Sequence, residues 1–144
     1  MLLTLDIGNT RAKLVSFVDG RPRLEAACAV SELPAAFAGI AAHRPEVTSL
    51  RWCSVGADDA LVETLLARTG WPTRRLVAAA EVGGVRLAYR TPHTLGVDRL
   101  AAVLGARSLQ PQGHLLVIDA GTCITFDVLL ADGRYIGGNI SPGL

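Results

Sequence analysis

Short apolar runs alternate along the chain with stretches of helical spacing, and this alternation predicts a sheet covered by helices. Residues 2–7 and 12–18 have strand composition, Asp19-Gly20 between 12–18 and 23–30 is a hairpin signal, and residues 23–30 predict a third strand. The other predicted elements, in chain order, are a helix at 31–43, a strand at 47–55, a helix at 58–69, a strand at 74–79 and a helix at 97–110.

The ends of these elements carry their own signals. Ser31 is predicted to cap the first helix, and Gly70 to end the second. Residues 80–95 read as a loop with some strand character, and the Gly- and Pro-rich residues 136–143 predict a loop rather than a regular element.

The start of the chain is repeated near its end. Residues 2–21 align without a gap with residues 115–134, which brings Asp6 onto Asp119. The predicted order is therefore βββαβαβ, a helix, and the beginning of a second βββ. A duplicated unit of this order is the pattern of the actin-like (ribonuclease H-like) ATPases, an α/β fold in which ATP binds between two related domains.

The repeat predicts a first domain with its connecting helix at 1–112 and the start of a second domain at 113–144. If the two copies are alike, roughly eighty residues of the second are missing. The chain is then interpreted as a fragment, an early-terminated reading frame or a cloned piece.

Composition narrows the class of partner. The net charge is +1 and basic runs are short, which argues against nucleic acid or an anionic membrane. No signal peptide or membrane-spanning stretch is visible. The cysteines at positions 28, 53 and 123 lie far apart in apolar runs, which predicts buried free thiols in a reducing cytoplasm and no zinc site.

The first repeated turn has the residues of an anion site. Gly8 allows close approach of a phosphate, and Asn9, Thr10 and Lys13 (the single lysine among thirteen arginines) add donors. Asp6 is suited to a hydrated Mg²⁺ that bridges phosphate oxygens. A simple polar hairpin is the alternative, and the recurrence of the motif at 119–122 favours the functional interpretation.

A second candidate site precedes the helix at 97–110. Asp98 is either an N-cap or first-turn acid, or a carboxylate that accepts or orients a substrate hydroxyl proton. Arg99 is suited to a substrate carboxylate. The residues alone leave these alternatives open.

Four stretches together resemble the type III pantothenate kinases: 6–13, 89–99, 119–125 and 137–144. The resemblance implies an enzyme that uses ATP to phosphorylate pantothenate to 4′-phosphopantothenate, the first step of coenzyme A synthesis. It also implies a cytoplasmic homodimer that needs Mg²⁺ and a monovalent cation, K⁺ or NH₄⁺.

The resemblance assigns roles residue by residue. Asp98 is the proton acceptor, and Asp119 is the ligand of the monovalent cation. The ATP segment comprises Asp6, Ile7, Gly8, Asn9, Thr10, Arg11, Ala12 and Lys13, with Thr122 as a further phosphate contact. The pantothenate site comprises Tyr89, Gly96, Val97, Asp98 and Arg99.

Members of that family have the rest of the second domain, including adenine contacts and a further pantothenate contact. Their absence after position 144 keeps a second hypothesis open: a non-catalytic truncated relative, or a regulatory accessory protein related to the kinase.

Overall fold

The computed structural model describes residues 1–56, 59–89 and 91–143. They form two compact units, Met1–Leu76 and Val77–Leu144, each with its own five-stranded sheet. The predicted domain boundary between residues 112 and 113 was placed where the second copy of the repeat begins, and it stays a prediction. In the structure the helix that follows residue 96 packs on strands of the second unit.

The first unit has the predicted order βββαβαβ. Strands β1, β2 and β3 are antiparallel neighbours, and β4 and β5 extend the sheet in parallel from β1, so that the order across the sheet is β3-β2-β1-β4-β5. The elements are β1 (Leu2–Ile7), β2 (Ala12–Val18), β3 (Arg21–Cys28), α1 (Leu33–His43), β4 (Ser49–Ser54), α2 (Asp59–Ala67) and β5 (Thr73–Arg75).

One face of this sheet is covered by α1 and α2. Leu3, Leu5 and Ile7 alternate along β1 and are at most 1% exposed. They belong to one core with apolar residues of both helices, among them Phe37 of α1 and Val62 of α2. Burying each such leucine or isoleucine stabilises the fold by about 1.5–3 kcal/mol, so the alternation in β1 determines which face the helices cover.

Two predicted ends of the first unit were wrong. Ser31 lies inside a 3₁₀ turn, Val30–Glu32, and α1 begins after Glu32, whose carboxylate accepts the N–H of Ala29 at 2.8 Å. The predicted strand at 74–79 stops at Arg75, because only its first residues pair with β4. Gly70 follows α2 with a φ of 71°, as its predicted role as a stop requires, while residue 58 lies outside the described residues.

The second unit begins with a small hairpin and ends with three long strands. Its elements are β6 (Glu81–Val82), β7 (Val85–Leu87), α3 (Val97–Leu109), β8 (Leu115–Ala120), β9 (Cys123–Leu129) and β10 (Arg134–Pro142). The order across its sheet is β6-β7-β10-β9-β8. Since β8, β9 and β10 are antiparallel neighbours, the second βββ start is confirmed.

The predicted loop at 136–143 is instead part of β10, which pairs with β9 as far as Pro142. A bulge at Ile136 is followed by Gly137 in the left-handed region, with a φ of 88°. A Cβ atom on Gly138 would overlap the carbonyl oxygen of Phe126 on β9. Glycine therefore serves here to bring two strand backbones close together rather than to break a strand.

The gapless repeat conceals two compensating differences in turn length. Loop 8–11 has four residues between paired strand ends, whereas loop 121–123 has three. The next turn is the two-residue Asp19-Gly20 in the first unit and the three-residue stretch 131–133 in the second. The second unit has one residue fewer in the first loop and one residue more in the next turn. The two sequences therefore stay aligned without a gap, although the strand registers differ.

The cysteines differ from the prediction in one case. Cys53 is buried and Cys28 is half-buried, but Cys123 at the start of β9 is exposed. Within the part of the chain that the structure describes, no helix has the length and apolarity needed to cross a membrane.

Candidate functional site

The carboxylate of Asp6 lies near the end of β1, between two neighbouring strands. Its paired residue on β2 is Lys13, which is exposed, and its paired residue on β4 is Cys53. The thiol of Cys53 donates to Oδ1 of Asp6 at 3.5 Å. Alternation along β1 turns Asp6 away from the face buried by Leu5 and Ile7, which leaves this carboxylate half-buried beside a cationic residue.

Loop 8–11 is closed by a backbone hydrogen bond from Gly8 N–H to the carbonyl of Arg11 at 3.0 Å. The φ of Gly8 lies outside the left-handed region, and a Cβ atom there would sit 3.5 Å from that carbonyl, an ordinary contact. The turn itself therefore does not require glycine. A side chain at position 8 would instead fill the open space over the loop, and that space is what would let a ligand approach the backbone closely.

Not every residue of segment 6–13 can offer its side chain to a ligand. Ile7 and Ala12 are fully buried, so only their backbone is available. Arg11 donates through Nη2 to the carbonyl of Ala27 at 2.9 Å, which ties the loop to β3. Asn9 and Thr10 are exposed at the tip of the loop.

Gly56 lies against the side chain of Asn9, and sequence reasoning missed it. A Cβ atom on Gly56 would lie 2.8 Å from Oδ1 of Asn9. The amide of Asn9 therefore lies close to the backbone that follows β4, where a side chain at position 56 would collide with it.

The second loop resembles the first but has a different environment. Asp119 is exposed near the end of β8, and its paired residue on β9 is the neutral Thr125. Gly121 N–H donates to the carbonyl of Cys123 at 2.9 Å, and the carbonyl of Thr122 accepts the N–H of Gly143 at 3.0 Å. The segment after β10 thus holds this loop, leaving the Thr122 side chain exposed.

The start of α3 places Asp98 as the second helical residue. The N-cap is Gly96, so Asp98 is a first-turn acid and its interpretation as an N-cap was wrong. Oδ1 of Asp98 accepts the N–H of Arg99 at 2.8 Å, and a Cβ atom on Gly96 would lie 2.5 Å from that oxygen. The missing side chain of Gly96 thus makes room for the carboxylate of Asp98. Val97, beside it, is buried.

Arg99 belongs to a buried polar cluster that sequence reasoning did not find. Its Nε and Nη2 donate to the two oxygens of Asp127 at 3.0 and 2.6 Å, and the hydroxyl of Tyr135 donates to Oδ1 of Asp127 at 2.6 Å. These three side chains are 7%, 1% and 0% exposed. The sequence did contain one signal for this cluster, the aspartate within the apolar strand CITFDVL. A carboxylate buried in such a strand needs a cationic or hydrogen-bonding partner.

The cluster shifts the pKa of its members. The hydrogen bond to Asp127 raises the pKa of Arg99, and burial together with that carboxylate raises the pKa of Tyr135. Arg99 therefore stays charged and Tyr135 stays protonated throughout the neutral range.

Tyr89 lies beside this cluster. A Cβ atom on Gly137 would overlap its ring, so the ring stacks directly on the backbone of β10 at the bulge. Its side chain also packs against the apolar cluster that contains Tyr135. The structure therefore brings together Tyr89 and Arg99, two of the residues assigned to pantothenate, at one place in the second unit.

The surroundings of Asp6 and Asp119 bear on whether their carboxylates suit a cation. Among the described residues, His, Cys, Asp and Glu side chains do not gather in groups of three or more that could enclose a metal ion. Asp119 is an exposed carboxylate opposite a neutral residue, which suits a weakly held monovalent cation. Asp6 fits a Mg²⁺ held through water, a mode that needs only one or two carboxylates together with phosphate oxygens.

A complete βββαβαβ unit followed by the restarted βββ of a second unit defines the actin-like α/β fold. A family model described as type III pantothenate kinase matches residues 2–144. The chain belongs to that family.

Curated relatives named type III pantothenate kinase align along essentially the whole chain. The relative from Azoarcus sp. (strain BH72) is 42% identical over 150 residues, 100% of this chain and 56% of that protein. The relative from Laribacter hongkongensis is 36% identical over 157 residues, 100% of this chain and 59% of that protein. The relative from Porphyromonas gingivalis (strain W83) is 39% identical over 152 residues, 99% of this chain and 57% of that protein. The chain thus spans somewhat more than half the length of these relatives.

Among solved structures, a putative N-acetylglucosamine kinase from Porphyromonas gingivalis aligns with a TM-score of 0.48 at 12% identity, covering 100% of this chain and 47% of that chain.

Proposed function

We propose that this protein transfers the γ-phosphoryl group of ATP to the 4′-hydroxyl of pantothenate, the first step of coenzyme A synthesis. The observation that carries the proposal is the start of α3. There the carboxylate of Asp98 is held by the N–H of Arg99 at 2.8 Å and lies over a glycine that leaves it room. Family membership over residues 2–144 supports pantothenate as the substrate of the proposed reaction.

In the proposed reaction the substrate hydroxyl oxygen attacks the γ-phosphorus. The bond from that phosphorus to the β,γ-bridging oxygen breaks, ADP leaves, and the hydroxyl proton passes to the carboxylate of Asp98. Because this chemistry depends mainly on position and charge neutralisation, the chain's contribution is to hold the hydroxyl against Asp98 and the phosphates against donors.

The donors proposed for the phosphates lie on the two repeated loops. Lys13 offers a compact point charge, and Asn9 and Thr10 are exposed beside it. Thr122 plays the corresponding part in the second loop. Ile7, Gly8, Arg11 and Ala12 contribute through the backbone, since their side chains are buried, absent or engaged with β3.

Cations are part of the proposal, one for each repeated loop. Asp6 would hold Mg²⁺ through water and Asp119 would hold K⁺ or NH₄⁺; when bound, these ions neutralise phosphate charge. Tyr89, Gly96, Val97 and Arg99 form the proposed pantothenate site, where Nε and Nη2 of Arg99 are already engaged by Asp127. A homodimer in the cytoplasm is part of the proposal and rests on the family alone.

The test is phosphotransfer by the 144-residue chain itself, measured as pantothenate-dependent release of ADP from ATP with Mg²⁺ and K⁺ present. Asp98→Asn should lower turnover by on the order of 10²–10⁴-fold, because an amide cannot accept the proton. Its melting temperature should not change, since Asn keeps the shape and an acceptor for the N–H of Arg99.

Glu63→Gln is the matched control, because it removes one exposed helical carboxylate from the first unit. Unchanged turnover in Asp98→Asn would leave this residue a structural first-turn acid and refute its proposed role. Pantothenate binding without turnover in the unaltered chain would instead favour the non-catalytic accessory function.

A further inference from the structure

We infer that Asp127 and Tyr135 are positioning residues that clamp Arg99 and, through it, set the place of Asp98. The inference deepens the proposed phosphotransfer and rests on it. Neither residue belongs to the segments that resemble the ATP or pantothenate sites, and neither lies within the first turn of α3.

The clamp joins three elements of the second unit. Arg99 comes from the first turn of α3, Asp127 from the middle of β9 and Tyr135 from the start of β10. The contact between Arg99 and Asp127 is a two-pronged ion pair, with both carboxylate oxygens engaged. Such a fork fixes the guanidinium in angle as well as distance, which a single hydrogen bond does not.

Tyr135 controls the orientation of Asp127. Its hydroxyl donates to Oδ1, the same oxygen that accepts Nη2 of Arg99, and its ring is fully buried. The phenol therefore holds the carboxylate in the rotamer that meets Arg99. Without the hydroxyl, Asp127 keeps its partner but loses the contact that limits its rotation.

Arg99 passes this constraint to Asp98 through the backbone. The N–H that holds Oδ1 of Asp98 belongs to Arg99 itself. A shift of the Arg99 side chain that moves its backbone therefore also moves the hydrogen-bond donor of the proposed proton acceptor. A misplacement of about 1 Å at such a group is enough to lower a rate by roughly 10²-fold.

The first unit shows that the sheet does not need a charge at this place. Asp127 pairs with Val117 on β8, and the residue of β1 aligned with Val117 is Thr4, which pairs with Val15 on β2. An apolar residue thus occupies the corresponding place in the first unit. The buried ion pair lies in the second unit, next to the start of α3 and the proposed proton acceptor Asp98.

The experiment compares Tyr135→Phe and Asp127→Asn with Asp132→Asn in the 144-residue chain. Asp132 pairs with Arg134 at 2.8 Å on the surface of the same unit, so its variant breaks an ion pair of the same chemical kind outside the clamp. Tyr135→Phe removes one hydroxyl and keeps the ring, so it is expected to fold even if Asp127→Asn, which leaves a buried arginine without its carboxylate, does not.

Two measurements decide the outcome. By NMR, Tyr135→Phe should shift the Arg99 amide signal and speed its hydrogen exchange about tenfold, a local opening that Asp132→Asn should not cause. In phosphotransfer, Tyr135→Phe should lower kcat at least about tenfold while the KM for ATP stays within about twofold, because only the acceptor side is displaced.

An unchanged Arg99 amide in Tyr135→Phe would overturn the inference. So would a lower melting temperature with normal kcat in the folded protein, since that result describes a purely structural cluster. If the unaltered chain neither binds nor phosphorylates pantothenate, the proposed function fails by itself, and the Arg99 amide still reports whether the clamp holds the helix start.

Discussion

The hairpins β1–β2 and β8–β9 share a repeated aspartate turn and reach different registers. In the first, a four-residue loop sets Asp6 opposite Lys13; in the second, a three-residue loop sets Asp119 opposite Thr125. A shift of one residue in pairing exchanges the faces of a strand. Turn length, rather than the strand sequence, therefore decides which residue stands across from each repeated aspartate.

The difference separates the proposed roles of the two carboxylates. Asp6 lies in a ladder with a cationic residue, which suits a loop that binds phosphate anions. Asp119 has no cation across from it in the ladder and is exposed, which suits a site that attracts a cation. The repeat thus supplies two similar turns whose aspartates face different partners, Lys13 in the first unit and Thr125 in the second.

The covering of the two sheets differs as well. Leu3 and Leu5 are buried beneath α1 and α2, whereas the aligned Leu116 and Ile118 are 62% and 55% exposed. In the second unit α3 packs instead on the side of Leu115 and Val117. The same apolar alternation is therefore a core in one unit and an exposed face in the other.

The largest expected loss of stability comes from adding a side chain to β10, the third strand of the second unit. Gly138 of β10 pairs with Asp127 of β9, whereas Leu24, the residue of β3 that pairs with Val15 at the corresponding place, carries a full side chain. Gly138→Ala should destabilise the second unit by about 3 kcal/mol or more, because its Cβ would overlap the backbone carbonyl of Phe126. Urea unfolding followed by amide signals of the second unit measures this.

Gly39→Ala is the control for that change, since a Cβ atom at this helical position meets nothing within 4 Å. It should stabilise the first unit slightly. If Gly138→Ala were tolerated as well as Gly39→Ala, the close approach of β9 and β10 would not be a requirement of the fold.

The next effect tests the two faces directly. Leu3→Ala should cost about 3 kcal/mol of unfolding free energy, because the side chain is 0% exposed. The aligned Leu116→Ala should cost less than about 0.5 kcal/mol, because Leu116 is mostly exposed. Equal costs in urea unfolding would mean that Leu116 is covered in solution.

A smaller effect is expected from copying the charge of the first ladder into the second. Thr125→Lys should weaken binding of K⁺ or NH₄⁺ at Asp119 about tenfold, since a cation would then stand across from the carboxylate. Titration of the Asp119 amide signal with KCl measures the affinity. Thr73→Lys, which adds the same charge on exposed β5, should have no effect; equal losses in both would argue against a site at Asp119.

The smallest effect is the acid dependence of the first unit. The Ser16 hydroxyl, at 2.6 Å, and Arg44 hold the pKa of Glu25 below its ordinary value of 4.5. This stabilisation is therefore present above pH 4.5 and is lost as the pH falls through the lowered value. Glu25→Gln should remove about 1 kcal/mol at pH 6 and flatten the loss of stability towards pH 3.

Glu63→Gln serves as the control, because Glu63 is exposed on α2. Identical pH profiles of urea unfolding for both variants would show that Glu25 contributes nothing specific to the first unit.

Local sequence determined most of the first unit. The strands at 2–7 and 12–18 match the prediction residue for residue, because strand composition and the Asp-Gly turn act over short distances. The order βββαβαβ and its restart at 115 followed from the same signals. The two aspartate turns could be found in the sequence because they occupy the same position in the two copies of the repeat.

Tertiary structure decided what the repeat alone could not. Gly- and Pro-rich residues after 136 became a strand because β9 offered a backbone close enough to need glycine. The buried contact of Arg99 with Asp127 joins residues 28 positions apart, and no local pattern relates them. Strand register depended on two turns whose lengths compensate, so the gapless alignment concealed it. Local sequence thus determined most elements of the first unit, whereas the pairing of distant backbones and charges determined β10, the strand registers, burial and the surroundings of each proposed site residue.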